Sequence, residues 1–154
     1  MNGFRRLSVR AVLAAVTSVA LVAVSAPTAT AEANPYTPRD VCGSGYYVLD
    51  GGRIAIRRPN DGPIYGYAYM MYNSAVQKNC VALIKSVDVG VKSFTYVGIQ
   101  VRGTNVKGEG DDFEYYAGPV YKYAPGQCVR VIGTVWNRAH TLAATGESAY
   151  RWCD

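Results

Sequence analysis

The sequence predicts an all-β fold, a compact antiparallel β-sandwich with a small β-barrel as the alternative, held by two disulfides. Three observations point there. Stretches rich in β-branched and aromatic residues recur roughly every eight to twelve residues. The segments between them are rich in Gly, Pro, Asn and Asp, and beyond residue 31 no stretch repeats apolar residues at helical spacing. Two stretches also alternate cleanly. In FTYVGIQVR, Thr95, Val97, Ile99 and Val101 share one side, and in CVRVIGTVW, Val129, Val131, Gly133 and Val135 do so. Such alternation marks a buried face of a sheet packed on another.

Residues 1–31 read as a secretory signal peptide. Arg5, Arg6 and Arg10 precede the apolar run AVLAAVTSVALVAV, and the small-residue stretch SAPTATA places Ala29 and Ala31 ahead of a cut. The run of about 14 residues falls short of the roughly 20 that span a bilayer as a helix, so no membrane partner is expected after processing. Residues 32–41 form an extended lead-in, because two prolines restrict the residues before them. A single secreted β domain over 42–154 follows.

Its strands are expected at 46–50, 53–58, 64–72, 80–86, 93–102, 113–116, 120–123 and 128–136, with a last short one within SAYRWC. Gly51-Gly52 separates the first two. Asn60, Asp61 and Gly62 suit a hairpin turn, since these residues tolerate positive φ. GTNVKGEGDD and APGQ serve as loops.

Four cysteines lie beyond the signal: Cys42, Cys80, Cys128 and Cys153. In an exported chain an even number argues for structural bridges. Of three possible pairings, the favoured one joins sequence neighbours, Cys42 with Cys80 and Cys128 with Cys153, which ties the first cysteine to an early strand and pins the chain end. No C-x-x-C spacing is present and His140 is the one histidine, so no zinc site or other metal is expected.

Charge argues against nucleic acid as a partner. Of the 16 Lys and Arg, three lie in the signal, while all 11 Asp and Glu lie beyond it, so the net charge falls from +5 to +2 on processing. The small basic group Arg53, Arg57 and Arg58 reads as a solvated strand end. Chemistry is equally sparse. His140 sits in a turn-rich connection, and Ser44 lacks the nucleophile-elbow pattern. Glu109, Asp111, Asp112 and Glu114 miss the EF-hand spacing and read as a solvated hairpin loop. With no P-loop or dinucleotide glycine pattern, neither catalysis nor a cofactor is expected.

Tyrosine is the distinctive residue, 13 in all. In IYGYAYMMYN, alternation sets Tyr65, Tyr67, Tyr69 and Met71 on one side and Ile64, Gly66, Ala68, Met70 and Tyr72 on the other. Neither side is polar, so the strand reads as central, with rings packed and hydroxyls reaching a partner. The alternative is an aromatic platform for carbohydrate or cell wall polymer, with Tyr65, Tyr67, Tyr69, Tyr115 and Tyr121 as the candidate binding residues.

The segments NPYTPRDVCGSGYYVLD (34–50), MMYNSAVQKNCVALIKS (70–86) and FEYYAGPVYKYAPGQCVR (113–130), with Cys153 beyond them, resemble the spore-associated protein A family of filamentous, spore-forming actinobacteria. The resemblance spans essentially the whole secreted part. It implies a small exported protein found with spores or aerial hyphae, with no established reaction and no catalytic residues to carry over. It also supports paired cysteines. Together these observations lead to a small, secreted, non-catalytic protein of the spore or cell surface, whose expected partner is a surface polymer.

Overall fold

The computed structural model describes residues 32–153; the expected signal peptide lies outside the described residues. A short helix, α1 (Pro38–Cys42), precedes strands β1 (Tyr47–Arg57), β2 (Ile64–Asn73), β3 (Lys78–Lys85), β4 (Ser93–Val101), β5 (Lys107–Phe113), β6 (Tyr116–Tyr123), β7 (Val129–Trp136) and β8 (Ala143–Glu147). The strands form one antiparallel sheet in the order β5-β4-β7-β8-β1-β2-β3-β6. This sheet rolls until its two edge strands adjoin. Lys107 Nζ donates to the Tyr121 carbonyl at 3.1 Å, and the Gly118 N–H donates to Glu109 Oε2 at 2.9 Å. The result is a nearly closed barrel, flattened toward a sandwich.

The alternating faces point as the sequence indicates. Thr95, Val97, Ile99 and Val101 on β4 and Val129, Val131, Gly133 and Val135 on β7 are buried, and their outward neighbours are more open except Gly98, which is buried too. They meet Ile56, Ala68, Met70, Val81 and Leu83 in one main core. The flattening has a local cause. Gly133 and Gly146 are cross-strand partners on β7 and β8. A Cβ on Gly133 would stand 2.6 Å from Ile56 Cδ1 and 2.9 Å from Leu83 Cδ1, so the opposite wall uses the space a side chain would fill. Gly133→Val should therefore destabilise the fold by about 1–3 kcal/mol through overpacking. Thermal unfolding checks this, with the outward Thr134→Val expected to change little.

Both bridges take the favoured pairing, Cys42–Cys80 and Cys128–Cys153. The first fastens α1 to β3, and the second fastens the C-terminal segment to the start of β7. The hairpin at Asn60-Asp61 also forms as expected, with φ of 57° and 54°.

Several elements differ from the sequence expectation. The lead-in is not wholly extended: Thr37 caps α1 by accepting from the Asp40 N–H at 3.2 Å, Asp40 accepts from the Thr37 N–H at 2.8 Å, and Pro38 opens the helix. The hydrogen bonds from Thr37 hold the Asp40 carboxyl below the usual carboxylate range. Gly51-Gly52 does not end a strand. Val48 pairs with Met71 and Arg53 with Tyr69, so residues 49–52 bulge out of a continuous β1, with Gly51 at φ 62°. The expected loop at 103–112 holds most of β5, an edge strand whose side chains are nearly all exposed. The last strand lies at Ala143–Glu147, and of SAYRWC only Arg151 bridges, to Val129.

A second bulge relocates a tyrosine. Ile56 pairs with Gly66 and Arg57 with Ile64, leaving Tyr65 unpaired on that side. Alternation alone puts Tyr65 beside Tyr67 and Tyr69. The bulge instead turns its ring into the main core, where it is 7% exposed.

Candidate functional site

The register gives the barrel two ends. At one, β3 finishes at Lys85 beside the start of β4 and the end of β5. Lys85 is 1% exposed, and its Nζ donates to the Val91 carbonyl at 2.7 Å, Ser93 Oγ at 2.8 Å and the Phe113 carbonyl at 2.9 Å. All three ammonium protons are used, so the cation closes this end as a plug. Burial holds its pKa below the ordinary lysine value, opposed by the charges of Asp88, Asp112 and Glu114. Asn34 ties the lead-in to the same place, its Nδ2 donating to the carbonyls of Lys85 at 3.0 Å and Tyr115 at 2.7 Å.

The outer face of β2, β3 and β6 holds most of the tyrosines expected to form a platform. A second cluster of Val41, Cys42, Tyr46, Met71, Cys80, Ala82 and Ile84 lies there beneath α1, flanked by Tyr69, Tyr116 and Tyr121. Tyr121 Oη donates to the Cys42 carbonyl at 2.9 Å, and its ring lies 5.4 Å from that of Tyr46. Burial, with Tyr121 adding to it, raises the Tyr46 pKa. Tyr67 is covered by the Arg53 guanidinium, 3.6 Å from the ring centre. Tyr115 packs at 5.4 Å against Tyr36. The five candidates are thus not one flat row: Tyr65 is inside, Tyr67 is capped, Tyr69 and Tyr121 pack around α1, and Tyr115 sits with the lead-in.

Two members of the basic group are engaged locally, while Arg58 Nε is buried without a hydrogen-bond partner among the described residues. Arg53 stacks on Tyr67, and Arg57 Nη1 donates to the Gly62 carbonyl at 2.9 Å inside the hairpin. His140 Nε2 stands 3.7 Å from Asp112 Oδ1, with both side chains about half exposed. It lines a shallow cleft with Phe94 and Trp136. Among the described residues, no three His, Cys, Asp or Glu side chains gather as a metal site.

The opposite end of the barrel is an open mouth. Tyr47, Leu49, Tyr72, Asn79 and Trp152 surround a cleft of about 150 Å³. Tyr72 lies two residues beyond the core residue Met70, and Asn79 two before Val81, so both point into the barrel axis. Tyr47 pairs with Tyr72, their rings 6.2 Å apart and edge to face. Trp152 is held by its neighbour Cys153 in the second bridge and by Nε1 donating to the Asp50 carbonyl at 3.0 Å, on the β1 bulge. Its φ of 51° is rare for a bulky residue. Such a conformation costs on the order of 1–3 kcal/mol and persists only where surrounding contacts enforce it, a condition common at binding sites. Asn79 is 4% exposed and its side chain lines the cleft.

Over 116 residues the sequence is 36% identical to spore-associated protein A of Streptomyces coelicolor, covering 71% of this chain and 69% of the relative. The chain belongs to the spore-associated protein A family. No family model matches the chain, and no solved structure matches it.

In this member of the spore-associated protein A family, sequence reasoning misses the mouth altogether. Tyr72 falls on the side of its strand opposite the expected platform, and Asn79 is one polar residue at a strand start. Trp152 reaches the mouth only because Cys128–Cys153 and the β1 bulge bring it there. One local signal was available: an indole directly beside a bridged cysteine has its position fixed by the bridge.

Proposed function

We propose that this protein is exported and held at the cell or spore surface, where it acts by association rather than by catalysis, with a polymer of that surface as its partner. The observation that carries this reading is the 36% identity to a protein named for its association with spores. Two bridges within the described residues suit an oxidising exterior.

Antibody labelling of intact, unpermeabilised spores and hyphae, alongside fractionated culture supernatant, tests the location. Label on the intact surfaces is expected. Bare surfaces with all of the protein in the medium would overturn the reading. Incubating purified protein with peptidoglycan and insoluble polysaccharides should release no soluble product, and any sustained release would make it an enzyme.

A further inference from the structure

We propose that the barrel mouth framed by Tyr47, Leu49, Tyr72, Asn79 and Trp152 is a subsite for one neutral sugar ring, an uncharged hexopyranose. This deepens the surface-association reading, because sugar polymers are what a cell wall presents, but it concerns the isolated molecule and stands or falls on binding alone.

A hexopyranose has an apolar C–H face and a rim of hydroxyls, so it needs a flat apolar wall and a fixed polar group. The mouth supplies both. Tyr47, Tyr72 and Trp152 provide rings, with Tyr47 50% exposed and accessible from outside. Asn79 lines the cleft with an amide that has both donor and acceptor capacity. The mouths of β-barrels are recurrent ligand sites.

Size and charge narrow the ligand. The cleft of about 150 Å³ is well below the roughly 300–1,000 Å³ of pockets for drug-sized molecules, so it admits one ring rather than an extended ligand. Its lining carries no acid or base, so a phosphate, a carboxylate or an ammonium would be desolvated without compensation. A proline ring in an extended peptide is the closest rival, since such peptides dock in aromatic grooves. The indole N–H that could serve a peptide carbonyl is already given to Asp50, and Asn79 lies at the base rather than along the rim. Preorganisation also favours a small ligand, because the bridge and the Asp50 bond fix Trp152 before anything binds.

The test uses the oxidised, purified secreted protein titrated with glucose, N-acetylglucosamine, cellotetraose and chitotetraose, and with decaproline as the rival. Intrinsic fluorescence and calorimetry are recorded together. At least one sugar should give a saturable change in tryptophan emission that survives Trp136→Phe and disappears in Trp152→Phe. Tyr47→Ala and Asn79→Leu should each weaken calorimetric binding about tenfold or more. Because Tyr47 is half exposed, its variant keeps the question answerable even if Asn79→Leu fails to fold. Equal binding of monomer and tetramer assigns the site to a free or terminal sugar, and tighter tetramer binding assigns it to a polymer; either supports the proposal. It is overturned if no sugar binds at up to about 10 mM, a weak affinity worth under 3 kcal/mol. Binding of decaproline instead, or sugar binding that Tyr47→Ala leaves unchanged at an unaltered melting temperature, overturns it as well. None of these failures touches the localisation result.

Discussion

Replacing Cys42 and Cys80 together with serine is expected to lower the free energy of unfolding by about 3.5–4 kcal/mol. The bridge closes a loop with a sequence separation of 38 residues, and chain-entropy arithmetic for a loop of that length gives this figure. Against a typical total of about 5–15 kcal/mol, the loss leaves a marginal fold. A structural effect adds to the entropic one. Five residues are too few for a helix to stand alone, and its capping box contributes only about 1 kcal/mol. Without the bridge, α1 keeps little besides the Tyr121 hydroxyl and the Tyr46 ring region, and the cluster around Met71, Ala82 and Ile84 loses its cover. Urea unfolding followed by far-ultraviolet circular dichroism measures the change. A loss under about 1 kcal/mol would mean that packing, not the bridge, holds the helix.

Lys85→Met should be nearly as damaging, at about 3 kcal/mol or more. The substitution removes one donor group and strands three acceptors, the Val91 and Phe113 carbonyls and Ser93 Oγ. Each buried group left unpaired costs about 1–3 kcal/mol, partly relieved where water enters. The difference between wild type and variant should also depend on pH in a fixed direction. Burial lowers the folded pKa of Lys85 below 10.5, so the unfolded chain holds that proton more tightly. Between the lowered folded value and the ordinary one, the unfolded state binds more protons, and the stability that Lys85 contributes rises with pH. Below that window its contribution is level. Parallel denaturation series on both proteins, taken into the alkaline range, reveal the trend. A gap that narrows there would mean that Asp88, Asp112 and Glu114 govern the charge instead of burial.

The inward faces of β4 and β7 were legible because their two sides differ in polarity residue by residue, as Val97 and Ile99 do from Tyr96 and Gln100. Of the three possible disulfide pairings, the one favoured because it joins sequence neighbours is the one that forms. What escaped was set by tertiary context. KGEGDD has no apolar residue to signal a strand, yet it pairs along β4, and the Tyr96 ring lies across Gly108 and Gly110, where a Cβ would come within 2.3 Å and 2.8 Å of it. The β1 bulge spans the same Gly51-Gly52 that reads as a turn. Lys85 sits at the polar end of CVALIKS, just before Ser86, as any polar strand terminus would, and nothing local shows that its ammonium is buried at the barrel end. The mouth draws on β1, β2, β3 and the segment before Cys153, so no contiguous stretch encodes it.

One line on the wall differs from all others. Between β5 and β6 the neighbours are linked through side chains such as Lys107 and Glu109, whereas each of the other strand boundaries carries main-chain pairing. Local opening follows the path of fewest cooperative bonds. Parting is therefore expected first along this seam, where Lys85 on β3 reaches across to the Phe113 carbonyl of β5 and pins one end, so the plug limits how far β5 can separate from β6.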